Sequence, residues 1–396
     1  MKQIFDAKSM RGYAHINSAI AILRLYDGTM PFASFIKTFF SQHKKYGSKD
    51  RRQIAHLCYC YFRLGKQAMN VATEEKMLTA LFLCSGESNE ILAAIQPDWN
   101  KKVAQLVSQK LLALNYQLSS IFPFASDLSN EIDEEKFIAS FFIQPDLFLR
   151  SRPGKKEKII KTLTDAGVAL TLPKADCIQL NNGTKVEQLL EIDKEIVVQD
   201  FNSQQVFDQI PQLLFNNRIK VWDCCAASGG KSILLFDKNQ QIQLTVTDVR
   251  ESILANLKKR FAIAGIKNYK SFIADLSKKE FKDSFLQKGE GFDFIICDAP
   301  CSGSGTWSRT PEQLVFFKKE KIDYYANLQK KIVLNAAKSL KTGGYFLYIT
   351  CSVFKKENEE VVSFIQTNTE LQLQSMQYFK GYDKKADTLF AALFQL

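Results

Sequence analysis

An apolar run that stops at Asp-Ala-Pro-Cys constrains this chain more than any other feature in it. Residues 292–305 read FDFIICDAPCSGSG. Phe292, Phe294, Ile295 and Ile296 form a short apolar segment, the pattern of a strand buried on both faces of a parallel sheet. Asp298 ends the run, and Pro300 lacks the N–H a ladder needs. A carboxylate, the Cys301 thiol and a Gly/Ser loop therefore follow the carboxyl end of a strand, where open α/β sheets place their sites. Residues 345–352, YFLYITCS, repeat the arrangement with Cys351 at the tip.

The surrounding sequence supplies the rest of such a sheet. From Gln199 onward, strand and helix patterns alternate, with strands expected at Lys220–Asp223, Leu244–Thr247, Ser271–Ala274, Phe292–Cys297 and Gly344–Thr350. Between the last two, Ile322, Tyr325, Leu328, Ile332, Val333 and Ala336 share one helical face. This is an α/β doubly wound parallel sheet of Rossmann type. Residues 371–374 alternate and 387–396 are apolar, so the two are expected to pair antiparallel around Gly381 at the sheet edge. Upstream, residues 1–140 read as all helix, with apolar spacings of three and four as in Ile16, Ala19, Ile20, Ile22, Leu23 and Leu25. Residues 141–198 read as a small α/β unit, with a strand in PDLFLRSR and a helix in GKKEKIIKTLTDAG. The expected division is 1–140, 141–198 and 199–396.

Charge bears on the partner. The chain has 396 residues, a formal net charge of +11 and a pI near 9.0, which points toward a polyanion such as RNA. Lys44, Lys45, Lys49, Arg51 and Arg52 gather around a turn at Gly47-Ser48, and Arg150, Arg152, Lys155, Lys156 and Lys158 form a second cluster. Each reads either as a solvated surface or as a contact for RNA phosphates. No apolar run is long enough for a membrane span, and the first residues are too polar for a secretion signal; a cytoplasmic monomer is expected. Nine cysteines then need not form disulfides. The closest cluster, His56, Cys58 and Cys60, does not share one helical face, so no metal site is expected.

After the first strand comes VWDCCAASGGKS, residues 221–232. Gly229 and Gly230 let backbone approach a ligand closely where a helix begins. Asp248, nineteen residues past Gly229, is placed to bind ribose hydroxyls, and Asp275 could hold an adenine amino group. With Asp298, three acids stand on successive strand tips. Acids on this rim repel phosphate but suit a ribose, an adenine and an ammonium group, which favours S-adenosylmethionine over NAD or ATP. GxGxxG is absent, and the P-loop pattern fails because position 225 is Cys.

Two thiols at neighbouring strand tips suggest the acceptor. Carbon 5 of a pyrimidine becomes nucleophilic once a thiolate adds to carbon 6, with an acid such as Asp298 hydrogen-bonding the base as charge develops. Methylating an exocyclic amine needs no thiol, so DAPC argues for carbon. The remaining cysteines, Cys58, Cys60, Cys84, Cys177, Cys224, Cys225 and Cys297, read as small buried hydrophobes.

At VQDFNSQ (198–204), DCCAASGGK (223–231), TDVRES (247–252), DAPCSGSGTWSRTPE (298–312) and YITCSVFKKENEEVV (348–362) the chain resembles the Sun/Fmu-type RNA cytosine-C5 methyltransferases, including the small-subunit ribosomal RNA methyltransferase B group. YGSKDRRQIAHLCYCYFRLG resembles, more weakly, the NusB-like helical domain that precedes this core in that group. The resemblance implies that Cys351 is the nucleophile, that Cys301 helps release the methylated base, and that Lys231 and Asp298 support them. It also implies cofactor contacts at Cys225, Ala226, Ala227, Ser228, Gly229, Gly230, Lys231, Asp248, Asp275 and Asp298. The family has Pro where this chain has Ser228, which removes a fixed φ from the cofactor loop, and ADTLFAALF lacks the usual DGFF form. The implied substrate is single-stranded or opened RNA, ribosomal in the methyltransferase B group, with the target base flipped out of its stack.

Overall fold

The structure is a computed structural model describing residues 7–69, 72–279 and 291–396. These residues divide into two compact units.

The first unit comprises residues up to 128, residues 133–144 and, from far along the chain, Thr306–Lys318. It is helical, beginning with α1 (Ala7–Leu25), α2 (Phe32–Gln42), α3 (Ser48–Phe62) and α4 (Glu74–Cys84). Ile16, Ala19, Ile20 and Ile22 of α1 are buried as their spacing predicts, whereas Leu25 faces solvent. Thr73 caps α4 by accepting from the Lys76 amide, satisfying one of the donors a helix start leaves open. In α3, Cys58 is buried away from the other two, but the four-residue step brings His56 Nε2 to 3.5 Å from Cys60 Sγ. Those two share a face, as a four-residue step allows, while Cys58 Sγ points to the Ala19 carbonyl. Thr306–Lys318 is anchored in this unit by Trp307, whose ring packs on Phe124 and Phe317. Glu312 Oε1 accepts from the Phe32 amide at 3.2 Å, and Lys66 Nζ donates to the carbonyls of Val315 and Phe317. Among the described residues, no helix is long and apolar enough to cross a membrane.

The second unit holds both sheets. The smaller has strands β1 (Leu147–Ser151), β2 (Leu170–Lys174), β3 (Cys177–Leu180) and β4 (Ile196–Val198) in the order β2-β3-β1-β4. Its pairs are antiparallel, and Leu149, Ile178 and Ile196 pack on the helix Lys156–Asp165 through Ile159 and Leu163. The larger sheet has β5 (Lys220–Asp223), β6 (Gln243–Asp248), β7 (Tyr269–Ile273), β8 (Phe292–Asp298), β9 (Leu340–Thr350), β10 (Gln372–Phe379) and β11 (Leu389–Gln395). Their order is β10-β11-β9-β8-β5-β6-β7. The sheet is parallel from β9 to β7, with β10 and β11 antiparallel at the edge as the sequence implied.

Alternation along the strands fills both faces of this sheet. Val221, Val246, Phe294, Ile296, Leu347 and Ile349 pack against Leu234, Leu235, Leu257 and Phe261. Trp222, Ile295, Cys297, Phe346 and Tyr348 pack against Ile332, Val333, Val361 and Ile365. The chain winds outward from β5 in one direction and from β8 in the other, so the topological switch point lies between those two carboxyl ends.

Within the second basic cluster, the two arginines are neither a solvated surface nor a phosphate contact. Arg150 and Arg152 converge on Asp237, and all three side chains are about one-tenth exposed or less. Arg152 Nη1 also donates to the carbonyls of Asp193 and Ala264, at 2.9 and 2.7 Å. These guanidiniums brace the small sheet against the larger one and are spent on protein, not on phosphate. Lys158 likewise pairs with Glu195.

Candidate active site

Parallel pairing of β8 with β9 sets Asp298 opposite Ile349, so the segments leaving both strands run side by side. This register brings the thiols of Cys301 and Cys351 together: their sulfurs lie 3.3 Å apart, each half-shielded from solvent. The hydrogen bond to Cys351, and then burial, push the Cys301 thiol well above the usual range. Lys231, on the first turn of the helix Gly230–Lys238, donates to Asp298 Oδ2 at 2.5 Å. Burial opposes the charge on Lys231, but Asp298, with further help from Cys351, raises its pKa on balance. The lysine is thus a fixed cation beside both the acid and the Cys351 sulfur.

What holds the two loops in place is a set of buried polar groups that motif reasoning did not single out. Glu357 is fully buried. Its Oε2 accepts from the Ser302 amide at 2.9 Å and from Gln329 Nε2 at 3.0 Å, while Oε1 accepts from Ser352 Oγ at 2.8 Å. Gln329 Nε2 also reaches the Pro300 carbonyl. Asn358 donates to the Ser352 carbonyl and accepts from Thr350 Oγ1, and Ser304 Oγ accepts from the Val353 amide. One acid therefore bridges the loop of Cys301 to the loop of Cys351. Gly305 closes the arrangement: its amide donates to the Cys351 carbonyl at 2.8 Å, and a Cβ there would sit 2.0 Å from the Thr388 carbonyl oxygen. The available signal was the ENEE run within residues 357–360, which reads equally as a charged helix start.

The cofactor rim is built differently. Gly229 has φ +81°, and a Cβ on it would lie 2.6 Å from the Phe261 ring, so only glycine fits. At Gly230 the same position is open, with nothing within 4 Å. Asp248 receives the Ala227 amide at 3.1 Å, and the amide and side chain of Arg250 at 2.9 to 3.1 Å. Burial works to raise its pKa, but these donors outweigh it and hold the carboxylate below its ordinary value. The Arg250 side chain is 57% exposed, free to yield to a competing ligand. Asp275 accepts from the amide and hydroxyl of Ser277, which lower its pKa, the hydroxyl first. The position where the family carries Pro has its own brace: Ser228 Oγ and its carbonyl accept from Arg260 Nη1 at 3.0 and 2.9 Å. Arg260 in turn pairs with Asp193 at 2.7 Å. Beneath the rim, Asp223 is buried and accepts from Ser232 Oγ at 2.6 Å; burial raises its pKa to about 7.

Comparison with known proteins agrees with this geometry. Residues 212–391 match the family described as 16S rRNA methyltransferase RsmB/F. The ribosomal RNA small subunit methyltransferase B of Xanthomonas campestris is 30% identical over 234 residues, 57% of this chain and 51% of that protein. The mouse tRNA (cytosine(72)-C(5))-methyltransferase NSUN6 is 34% identical over 39% of this chain and 34% of its own. The tRNA (cytosine(49)-C(5))-methyltransferase of Pyrococcus abyssi is 25% identical over 62% of this chain and 78% of that protein. This chain spans about half the length of the rRNA methyltransferases it matches. Among solved structures, PH0851 superposes with a TM-score of 0.73 at 19% identity, covering 96% of this chain and 98% of that one. The likeness to PH0851 establishes a shared fold. The sequence match spans the rim, both thiol loops and the sheet between them, and over residues 212–391 the chain is similar to the family described as 16S rRNA methyltransferase RsmB/F.

Proposed function

We propose that the chain is an S-adenosylmethionine-dependent RNA methyltransferase that forms 5-methylcytosine in small-subunit ribosomal RNA through a covalent Cys351–cytosine adduct. The observation that carries this reading is the pair of sulfurs 3.3 Å apart at the tips of β8 and β9, beside the Lys231–Asp298 pair. The residues fit the cofactor: carboxylates end β6 and β8 and follow β7 at Asp275, and the backbone at Gly230 leaves open space. When bound, S-adenosylmethionine supplies an electrophilic methyl group.

The protein's own groups divide the rest. Cys351 adds through its sulfur to carbon 6, its thiol proton passing to solvent, and the displaced π electrons make carbon 5 the nucleophile. Asp298, held by Lys231, faces the base as charge builds on it. After methyl transfer, loss of the carbon-5 proton breaks the S–C6 bond and returns Cys351 as thiolate. Cys301 assists that second half. A Cys301 thiolate, its own proton first released to solvent, takes the proton from carbon 5. Residues 1–140, NusB-like in this reading, and residues 141–198 hold the RNA; Lys44, Lys45, Lys49 and Arg52 are exposed for it.

Cys351→Ala should abolish methyl transfer and leave RNA binding intact, whereas Cys301→Ala should trap RNA as an adduct visible on a denaturing gel. Undiminished transfer by Cys351→Ala would end the proposal. The names of two relatives keep tRNA as the second substrate reading; methylation assays with 16S rRNA and tRNA transcripts, followed by bisulfite sequencing, separate the two.

A further inference from the structure

Three more sulfurs lie beneath the cofactor loop. β5 and β8 pair in parallel with Asp223 opposite Ile296, and the Cys224 amide continues the ladder to the Ile296 carbonyl at 2.9 Å. One step past that register stand Cys224 and Cys297, with Cys225 next in the chain. The sulfurs of Cys224, Cys225 and Cys297 all lie within 4.8 Å of one another. All three are free thiols. Cys224 and Cys297 are closed to solvent, at 1% and 0% exposure, and Cys225 is partly open.

We propose that Cys224, Cys225 and Cys297 form a three-thiolate site for a soft divalent cation of the zinc and cadmium class. A packed apolar core explains one buried cysteine; it does not require three whose sulfurs converge. The donor set is sulfur alone, which selects thiophilic d¹⁰ ions over magnesium, calcium or manganese. Metal–sulfur bonds of about 2.3 Å place their sulfurs roughly 3.8 Å apart, which the three side chains reach by small rotations. Binding expels the thiol protons to solvent. A divalent ion leaves one net negative charge with three thiolates and a monovalent ion two, so burial favours the divalent ion. The partly exposed Cys225 is the way in.

Position gives the site a consequence. Cys225 opens the loop that runs through Ala226, whose amide donates to the Thr247 carbonyl, to Gly229, whose amide donates to the Ala226 carbonyl. An ion held at Cys225 therefore stiffens the backbone that leads to Gly229 and Gly230. The site itself stands on the three sulfurs and does not depend on the proposed function.

The test is an anaerobic titration of the reduced full chain with Cd²⁺, read by the near-ultraviolet thiolate-to-metal charge-transfer band and by thermal melting. One equivalent should saturate the band and raise the melting temperature. Cys224→Ser and Cys297→Ala should each weaken binding by more than the roughly 10–100-fold that second-shell changes cost. Cys301→Ala and Cys351→Ala should leave the titration unchanged. A band abolished by Cys351→Ala, or retained at full affinity in both Cys224→Ser and Cys297→Ala, would overturn the site, as would no binding at micromolar Cd²⁺.

Discussion

The loops that carry the two thiols are tied together from inside, whereas Asp248 on the cofactor rim is held from outside. Glu357, fully buried, joins the segments after β8 and β9 through Ser302, Gln329 and Ser352. Asp248 relies on Arg250, whose side chain is 57% exposed. The difference follows from what each region must do. A nucleophile and its partner need fixed geometry before substrate arrives, because small misplacement costs rate steeply. A carboxylate that receives a ligand's hydroxyls must instead part with its resident donor, which a solvated arginine does cheaply.

That contrast can be broken by substitution. The largest effect is expected for Glu357→Ala, which orphans three buried donors at about 1–3 kcal/mol each. Denaturant unfolding should register a loss of at least about 3 kcal/mol, and methyl transfer should fall with it. Glu357→Gln keeps an oxygen for Ser302 and Gln329 and offers a donor to Ser352, so it should recover most of the loss. Equal damage from the two variants would show that the network does not brace the thiols.

Asp223 comes next. Its folded pKa of about 7 lies above the ordinary 3.8 because burial disfavours the charge. The folded state then binds the proton more tightly than the unfolded chain. Stability is full below about pH 4 and is lost as pH rises through about 7, at no more than roughly 1.4 kcal/mol per pH unit. Asp223→Asn should flatten that slope, gaining on the order of 2 kcal/mol at pH 8 relative to the parent. Parallel pH profiles for the two proteins would refute the buried acid.

Gly229→Ala should cost about 1–3 kcal/mol, since alanine must adopt positive φ and press on Phe261; cofactor affinity measured by calorimetry should fall as well. The smallest effect is expected for Arg250→Gln. Its melting curve should stay within about 0.5 kcal/mol of the parent, while the apparent Kd for S-adenosylmethionine shifts only a few-fold. A large destabilisation would place Arg250 among the internal braces and erase the contrast.

Much of this was legible from residues alone. Strand ends were read to within a few positions because alternation and turn residues are local; Cys301, Cys351 and Asp298 stood out because they end or follow strands, and Lys231 came from the family resemblance. The meaning of several charged residues was not local. Arg150 and Arg152 read as either a solvated surface or a phosphate contact, yet Asp237, more than eighty residues away, claims both. Ser228 looked like a loosened turn, yet Arg260 and Asp193 hold it.

Period-two and period-3.6 patterns of apolar residues, with prolines and glycines between them, were enough to specify a parallel sheet with chemistry at its carboxyl edge. Which sulfurs meet, and which arginines are spent on carboxylates, followed only from strand order and register. The switch between β5 and β8 sets Cys224 beside Cys297, and the pairing of β8 with β9 sets Cys301 beside Cys351. The physical reason is range. Propensity and periodicity act over a few residues, whereas burial makes partners of groups that the chain itself keeps far apart.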